Sequence, residues 1–255
     1  MNSFIEGLQG SGKSTLVQKL SEKYTDHKAV REGDYSPVEL AWCAYVSMAQ
    51  YSETLEKYSE IKSLIEEKSF EENGQMVICY TQIITDIPGF HKDLEQYEIY
   101  NGRRDLEEFK KIVLGRYRIW NTDKMIFECS LLQNTVEDMI LYRVMSDEEI
   151  LSFYKEVGKV LDGKDIHIFY LKAGDIPANI DVIRKERSDD NGNELWFPLM
   201  IGYFNDSPYA RKYGLSGEEE LLKHLKHRQE LELRILQEIF DGKYTILESK
   251  KYNLD

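Results

Sequence analysis

Short apolar runs alternate with longer amphipathic segments along most of the chain. Runs of strand length occur at residues 2–6, 27–31, 124–128, 167–171 and 244–248. The segments between them place apolar residues three and four positions apart, which is the spacing of one helix face. Alternating strands and helices predict an α/β fold with a parallel sheet wrapped by helices. Right-handed crossovers would bring the strands' carboxyl ends to one edge, where a ligand would bind.

The helical spacing is clear in several segments spread along the chain. His224 and His227 lie on the longest of them, where we expect a charged, solvated face. A polar loop is expected at residues 188–193 because glycine, asparagine and aspartate dominate there. The expected helices are residues 13–24, 105–120, 132–143, 147–162, 176–187 and 218–240.

The middle of the chain, residues 35–123, gives a less regular pattern. Pro37 suits the first turn of a helix, because its missing N–H is not needed there. In chain order we expect a helix at 37–48, helical spacing across 52–72, a strand or the start of a helix at 76–84, and a loop at 90–103.

Composition narrows the class of protein. The net charge of −13 over 255 residues argues against a nucleic-acid-binding surface, although it leaves room for a local basic pocket. No apolar stretch approaches the roughly 20 residues that span a bilayer. Cys43, Cys79 and Cys129 show no metal or redox spacing. We therefore expect reduced thiols, with Cys129 a buried spectator, in a cytoplasmic protein without a signal peptide.

The most specific motif is Gly-Leu-Gln-Gly-Ser-Gly-Lys-Ser at residues 7–14, which fits the P-loop pattern G-x-x-x-x-G-K-[ST]. Such a loop surrounds phosphates with backbone N–H groups at the positive end of a helix. Lys13 would reach the outer phosphates, and the Ser14 hydroxyl would hold Mg²⁺. The residues expected to bind the triphosphate are Gly7, Gly10, Ser11, Gly12, Lys13, Ser14 and Thr15.

The run from Phe4 to Leu16 resembles the opening of thymidylate kinases and deoxynucleoside kinases. Residues 166–190 are similar to the strand, helix and lid of those families. The resemblance covers the first 34 residues, the strand at 124–130 and this later region, whereas 35–123 match no pattern of those families. It implies a P-loop NTPase three-layer sandwich, with a five-stranded, mainly parallel sheet flanked by helices, and ATP and Mg²⁺ as cofactors. It further implies one domain at 1–255, a mainly helical acceptor-binding insertion at 35–123 and a lid at 184–195.

The same resemblance assigns candidate catalytic residues. Arg184 and Arg187, three positions apart, would bring positive charge to the transferred phosphoryl group from the lid. A solvated helix end is the alternative for this pair. Glu32 and Asp34 follow the second strand, where a carboxylate accepts the acceptor's proton. The alternative is an acidic turn in which Asp34 caps the next helix, and the sequence does not rank the two carboxylates.

Glu128 ends an apolar strand and would bind Mg²⁺ or contact the acceptor. Deoxynucleoside kinases carry an acid, an arginine and a serine at this point, but this chain reads Glu128-Cys129-Ser130 and lacks the arginine. The missing arginine weakens the assignment to deoxynucleoside kinases in particular. A structural carboxylate is the alternative reading of Glu128.

Four residues of the insertion are candidates for binding the acceptor. Arg103 and Arg104 would bind an anionic group, which would favour a nucleotide over a nucleoside. Trp42 and Tyr45 would stack on a ring. For the arginines the alternative is an exposed helix start, and for the aromatic residues it is packing in the helix core.

Three functions are compatible with these residues. The preferred one is an ATP- and Mg²⁺-dependent kinase for a nucleoside-like or nucleotide-like acceptor. A P-loop kinase for an antibiotic or sugar hydroxyl keeps the fold and changes the acceptor. A switch or assembly ATPase is the third, and the absence of an N-K-x-D tetrapeptide argues against a GTPase. The expected partner is a small molecule, with neither nucleic acid nor membrane, and a homodimer is left open.

Overall fold

The computed structural model describes residues 1–251. Residues 252–255, the last four of the expected domain, lie outside the described residues. The chain divides into two compact units. The first joins Met1–Ala29 to the chain from Asn121 onward, and the second is Val30–Trp120. The second unit corresponds in position to the insertion expected at 35–123.

The elements alternate as the sequence pattern predicts over much of the chain. The strands are β1 (Asn2–Gly7), β2 (Lys28–Val30), β3 (Ala44–Ser47), β4 (Ser69–Glu72), β5 (Gln75–Ile78), β6 (Met125–Glu128), β7 (Ile166–Lys172) and β8 (Tyr244–Glu248). The helices are α1 (Lys13–Lys23), α2 (Met48–Lys57), α3 (Lys62–Glu67), α4 (Phe90–Glu95), α5 (Leu106–Ile119), α6 (Gln133–Leu141), α7 (Asp147–Val160), α8 (Ile176–Glu186), α9 (Trp196–Asp206), α10 (Pro208–Tyr213) and α11 (Gly217–Ile239). Within residues 1–251, no helix combines the length and apolar character that crossing a bilayer requires.

The first unit is built on a five-stranded sheet in the order β2-β6-β1-β7-β8. Strand β1 pairs in parallel with β6 and β7, and β7 pairs in parallel with β8. Helix α1 packs against β1 and β6, while α11 packs against α6, α7 and α8. The expectation of an α/β fold with a mainly parallel, helix-flanked sheet is confirmed.

The core of this unit explains why β1 and α1 form where they do. All of β1 is buried, and one face of α1 meets it. Each fully buried leucine, isoleucine or valine contributes roughly 1.5–3 kcal/mol relative to exposure. The cluster comprises Ile5, Leu16, Val17, Leu20, Ile126 and Leu171.

The second unit carries a three-stranded antiparallel sheet in the order β3-β5-β4, together with helices α2 to α5. The register sets Ala44 and Ser69 opposite Ile78 on the central strand. The expected insertion was mainly helical, so this sheet is a difference from the expectation. Its own core comprises Ala44, Val46, Tyr58, Ile65, Met76, Ile78, Tyr80, Ile83, Phe90 and Leu94.

The helix expected at 37–48 is wrong, because irregular chain leads there into β3 and only its last residue begins α2. The Ser36 hydroxyl accepts hydrogen bonds from the N–H groups of Val38 and Glu39. The Glu39 carboxylate accepts from the N–H groups of Leu40 and Ala41 at 2.6 and 2.8 Å. These local side-chain bonds satisfy the backbone and compete with helix formation.

Some of the other expected helices, strands and loops are confirmed, and others are wrong. The loop expected at 90–103 begins with α4, and the run 52–72 ends in β4 rather than in a helix. Helices α9 and α10 were not expected. The helices expected elsewhere are confirmed within a few residues, and 76–84 contains a strand, β5.

Candidate functional site

A glycine-rich loop, residues 7–12, joins β1 to α1. Gly7 has φ +135°, and a Cβ there would lie 2.6 Å from the backbone oxygen of Leu171. Only glycine fits such an approach. Gly12 precedes α1 with φ +93°, and neither a capping side chain nor an acidic residue occupies the helix start. The first N–H groups of α1 are therefore not taken up by a side-chain cap, and they favour an anion.

Lys13 is buried at the first position of α1. Its ammonium donates to the carbonyl oxygens of Gly7 and Leu8 at 2.9 and 2.8 Å. These bonds use two of the three donors of the ammonium. The positive charge therefore lies within the loop rather than in bulk water.

Ser14 and Glu128 meet although they are far apart in sequence. Parallel pairing places Glu128, the last residue of β6, opposite Ile5 of β1. The Ser14 hydroxyl donates to the Glu128 carboxylate at 2.5 Å. Ser14 is exposed, as is its neighbour Thr15, and Glu128 is buried. The site thus offers one hydroxyl and one carboxylate oxygen side by side.

The pair of Ser14 and Glu128 suits Mg²⁺ better than it suits a metal ion whose ligands all come from protein side chains. Within residues 1–251, no three histidine, cysteine, aspartate or glutamate side chains are grouped to hold a metal ion. Mg²⁺ usually keeps several waters and binds one or two carboxylates together with substrate phosphates. The donor set of Ser14 and Glu128 fits that mode of binding.

The turn after β6 fixes the direction of Glu128. Cys129 adopts φ +55°, a left-handed conformation that costs a non-glycine residue roughly 1–2 kcal/mol. Its N–H donates to the carbonyl of Ile5 at 3.1 Å. The Ser130 hydroxyl donates to the carbonyl of Glu128 at 2.9 Å. Cys129 is buried and forms no disulfide, as expected.

The two arginines expected in the lid are engaged with other side chains. Arg184, on α8, bonds Glu194 at 2.9 Å and Glu218 at 3.1 Å. The guanidinium of Arg187, just after α8, lies 5.0 Å from the ring centre of Trp196. Both arginines are therefore held by residues beyond the polar loop at 188–193.

Glu32 and Asp34 belong to the second unit. The exposed Glu32 carboxylate accepts from the Trp42 indole N–H at 3.0 Å. Asp34 accepts at both oxygens, from the Arg31 N–H at 2.8 Å and the Gln82 amide at 2.5 Å. Asp34 thus closes an acidic turn, and no helix follows it directly.

The expected acceptor-binding residues also lie in the second unit. Trp42 is 51% exposed, so packing in a helix core does not describe it. Tyr45 is half-buried on β3, and its carbonyl accepts from the Arg104 guanidinium at 2.8 Å. Arg103 pairs with Glu98 at 2.9 Å. Both arginines are thus tied to the unit's own acceptors.

A buried charged network in the first unit was not expected from the sequence. The Glu137 carboxylate accepts from His224 at 2.8 Å and from Arg228 at 2.9 Å. Tyr170 donates to Glu232, which is ion-paired with Arg228 at 3.3 Å. Burial alone would raise the pKa of Glu137, but Arg228 and His224 hold it at about 2. The expectation of a solvated His224 is wrong, because non-local packing covers this face of α11.

Glu6, directly before the glycine-rich loop, is another buried acidic group that was not expected from the sequence. Its carboxyl oxygens accept from the N–H groups of Leu131 and Gln133 at 2.7 and 3.2 Å. Complete burial outweighs those bonds and raises the pKa of Glu6 to about 8. Proximity to Glu232 adds to the rise. Glu6 therefore carries a proton at neutral pH.

Comparisons with protein-family models and with curated proteins give no match for this chain. Its function is therefore inferred from its own residues.

Proposed function

We propose that this chain is a P-loop kinase that uses ATP and Mg²⁺ to phosphorylate a small molecule. The acceptor class we favour is a nucleoside or nucleotide, in keeping with the resemblance at residues 4–16 and 166–190. The observation that carries the proposal is the 2.5 Å contact between Ser14 and Glu128. It occurs where the parallel strands β1 and β6 end, beside the glycine-rich loop that directly precedes Lys13.

The loop supplies the binding of the donor phosphates. Backbone N–H groups between Gly7 and Thr15 would bind phosphate oxygens, and Lys13 would balance the charge that develops during transfer. Mg²⁺, held by Ser14 and Glu128, would neutralise further phosphate charge. Lys13 would exchange the carbonyls that it now contacts for phosphate oxygens.

The candidate residues for the acceptor all belong to the second unit. We propose Glu32 rather than Asp34 as general base, because both oxygens of Asp34 already accept hydrogen bonds. Trp42, exposed and bonded to Glu32, is the aromatic side chain best suited to stack on an acceptor ring. Tyr45 would assist it. Release of Arg103 from its carboxylate partners would be needed before it bound an anionic acceptor.

The test is transfer of label from γ-labelled ATP in the presence of Mg²⁺ and a panel of acceptors. The panel contains nucleosides, nucleoside monophosphates, amino sugars and simple sugars. Labelled nucleoside or nucleotide product is the expected result. ADP formed at one rate whatever the acceptor would contradict the kinase and support an NTP-hydrolysing switch. Transfer only to amino sugars or simple sugars would mean that the acceptor is a sugar rather than a nucleoside or nucleotide.

The metal contact gives a first prediction. Glu128→Gln keeps the shape of the side chain and removes its charge, so the Mg²⁺ concentration for half-maximal turnover should rise about 10-fold or more. Glu22→Gln, which neutralises an exposed carboxylate on α1, is the matched control. An unchanged Mg²⁺ requirement in Glu128→Gln would leave Glu128 a structural role only.

The lid residue Arg187 gives a second prediction. If its phosphate contact forms mainly during transfer, Arg187→Ala should lower kcat by about 10-fold or more and alter ATP affinity much less. Steady-state kinetics and calorimetric titration of ATP separate the two effects. Lys185→Ala removes a neighbouring exposed charge from α8 and serves as control. A loss confined to ATP affinity would count against a lid role.

A further inference from the structure

We infer that Arg228 is a positioning residue, which keeps the glycine-rich loop in its phosphate-binding shape by holding Gln9. Arg228 lies on α11, far along the chain from the loop, and is fully buried. Its guanidinium donates to the side-chain carbonyl of Gln9 at 2.7 Å. The consequence for nucleotide binding rests on the proposed function, whereas the tether itself does not.

The guanidinium is fixed on its other sides. It donates to Glu137 of α6 at 2.9 Å, and its Nε lies 3.3 Å from Glu232 on the same helix. The planar fork of arginine matches such fixed acceptors, whereas a lysine offers one point charge. Buried ion pairs contribute little net stability compared with well-packed apolar residues. Because the buried ion pairs of Arg228 add little stability, we assign the Arg228 guanidinium the role of orienting the Gln9 side chain.

Two further hydrogen bonds hold the loop's backbone at Gln9 and Ser11. The Asn179 side chain, on α8, donates to the backbone carbonyl of Gln9 at 2.7 Å. The Ser249 hydroxyl donates to the backbone carbonyl of Ser11 at 2.9 Å. Gln9 is thus held through both its backbone and its side-chain oxygen.

These tethers determine where the loop's N–H groups point. In a trans peptide the C=O and the following N–H point in opposite directions, and the loop's peptides are trans. Because the carbonyl of Gln9 is drawn toward α8, the N–H of Gly10 points away from it. The N–H of Gly12 likewise points away from Ser249. These protein contacts therefore use the loop's carbonyls and leave the N–H groups of Gly10 and Gly12 on the opposite side, where a phosphate would bind under the proposed function.

The experiment compares Gln9→Met with Arg228→Lys. Methionine keeps the length of the side chain and lacks the carbonyl acceptor, and the ion pairs of Arg228 stay intact. In each variant we expect hydrogen exchange at amides 8–14 to become about 10-fold faster. Mg·ATP binding, measured by calorimetry, should weaken about 5- to 30-fold. Thermal stability of Gln9→Met should fall modestly, because one buried N–H group of Arg228 loses its acceptor. In the double variant the two losses should not add, because both break one contact.

Arg143→Lys is the matched control, since the side chain of Arg143 is only 7% exposed and is paired with Asp138 at 2.5 Å. It should leave loop exchange and Mg·ATP binding unchanged. Unaltered exchange and binding in Gln9→Met would overturn the inference, as would an equal loosening of the loop in Arg143→Lys. An unmodified protein that fails to bind Mg·ATP would overturn the proposed function instead. Hydrogen exchange would then still decide whether Arg228 holds the loop.

Discussion

Replacing Lys13 with alanine is expected to lower phosphoryl transfer by about 10²-fold or more while the fold survives. Charge builds up on the transferred group, and a fixed ammonium stabilises it more than it stabilises bound ATP. The present contacts of Lys13 are the carbonyls of Gly7 and Leu8, both within the loop. Alanine is the best helix former, so the start of α1 should persist.

The measurement is turnover of γ-labelled ATP with the acceptor found in the panel, together with thermal unfolding. Lys19→Ala, which removes an exposed lysine from α1, should behave as the unmodified protein in both. Normal turnover in Lys13→Ala at normal thermal stability would be incompatible with a phosphate-binding role for the loop. A collapse of thermal stability would instead assign Lys13 to the structure.

Much of the first unit could be predicted because its signals are local. The strands at 2–6 and 124–128 are apolar runs bounded by polar residues, and both form. The glycines at 7 and 12 occupy the left-handed backbone conformations for which glycine is suited. The contact between Ser14 and Glu128 follows from two strand ends at one sheet edge, so sequence reasoning placed both in one site.

The second unit shows where local signals fail. Residues 44–47 form a strand because they pair with 75–78, a partner that no window around Pro37 contains. Helix α4 begins after Gly89, whose φ of +84° starts it without a capping side chain. Tertiary pairing therefore decides β3 more than propensity does, whereas α4 lacks the side-chain cap that would mark its start in the sequence.

The buried charges were missed for a related reason. Glu137, His224 and Arg228 each look like part of a solvated helix face when their own helix is considered alone. They become buried because α6 and α11 turn those faces toward each other, and the charges then satisfy one another. On α11 the local signals are His224, Arg228 and Glu232 at four-residue spacing, which also suits charged side chains on an exposed helix face.

The protonated Glu6 predicts an unusual dependence of stability on pH. A glutamate in the unfolded chain loses its proton near pH 4.5, whereas Glu6 in the folded protein keeps it until about pH 8. Between those values the folded chain binds more protons, so the free energy of unfolding falls as pH rises. The stabilising contribution is complete below pH 4.5 and is lost as the pH passes 8.

Glu6→Gln should remove this dependence, because the amide does not titrate. Urea unfolding at about pH 5 and about pH 8 gives the difference between the two proteins, and other titrating groups cancel in it. We expect the unmodified protein to lose on the order of 3 kcal/mol relative to Glu6→Gln across this range. Any constant offset reflects the bonds from Leu131 and Gln133, which the amide satisfies less well. A difference independent of pH would mean that Glu6 is ionised in the fold, with its charge balanced beside the glycine-rich loop.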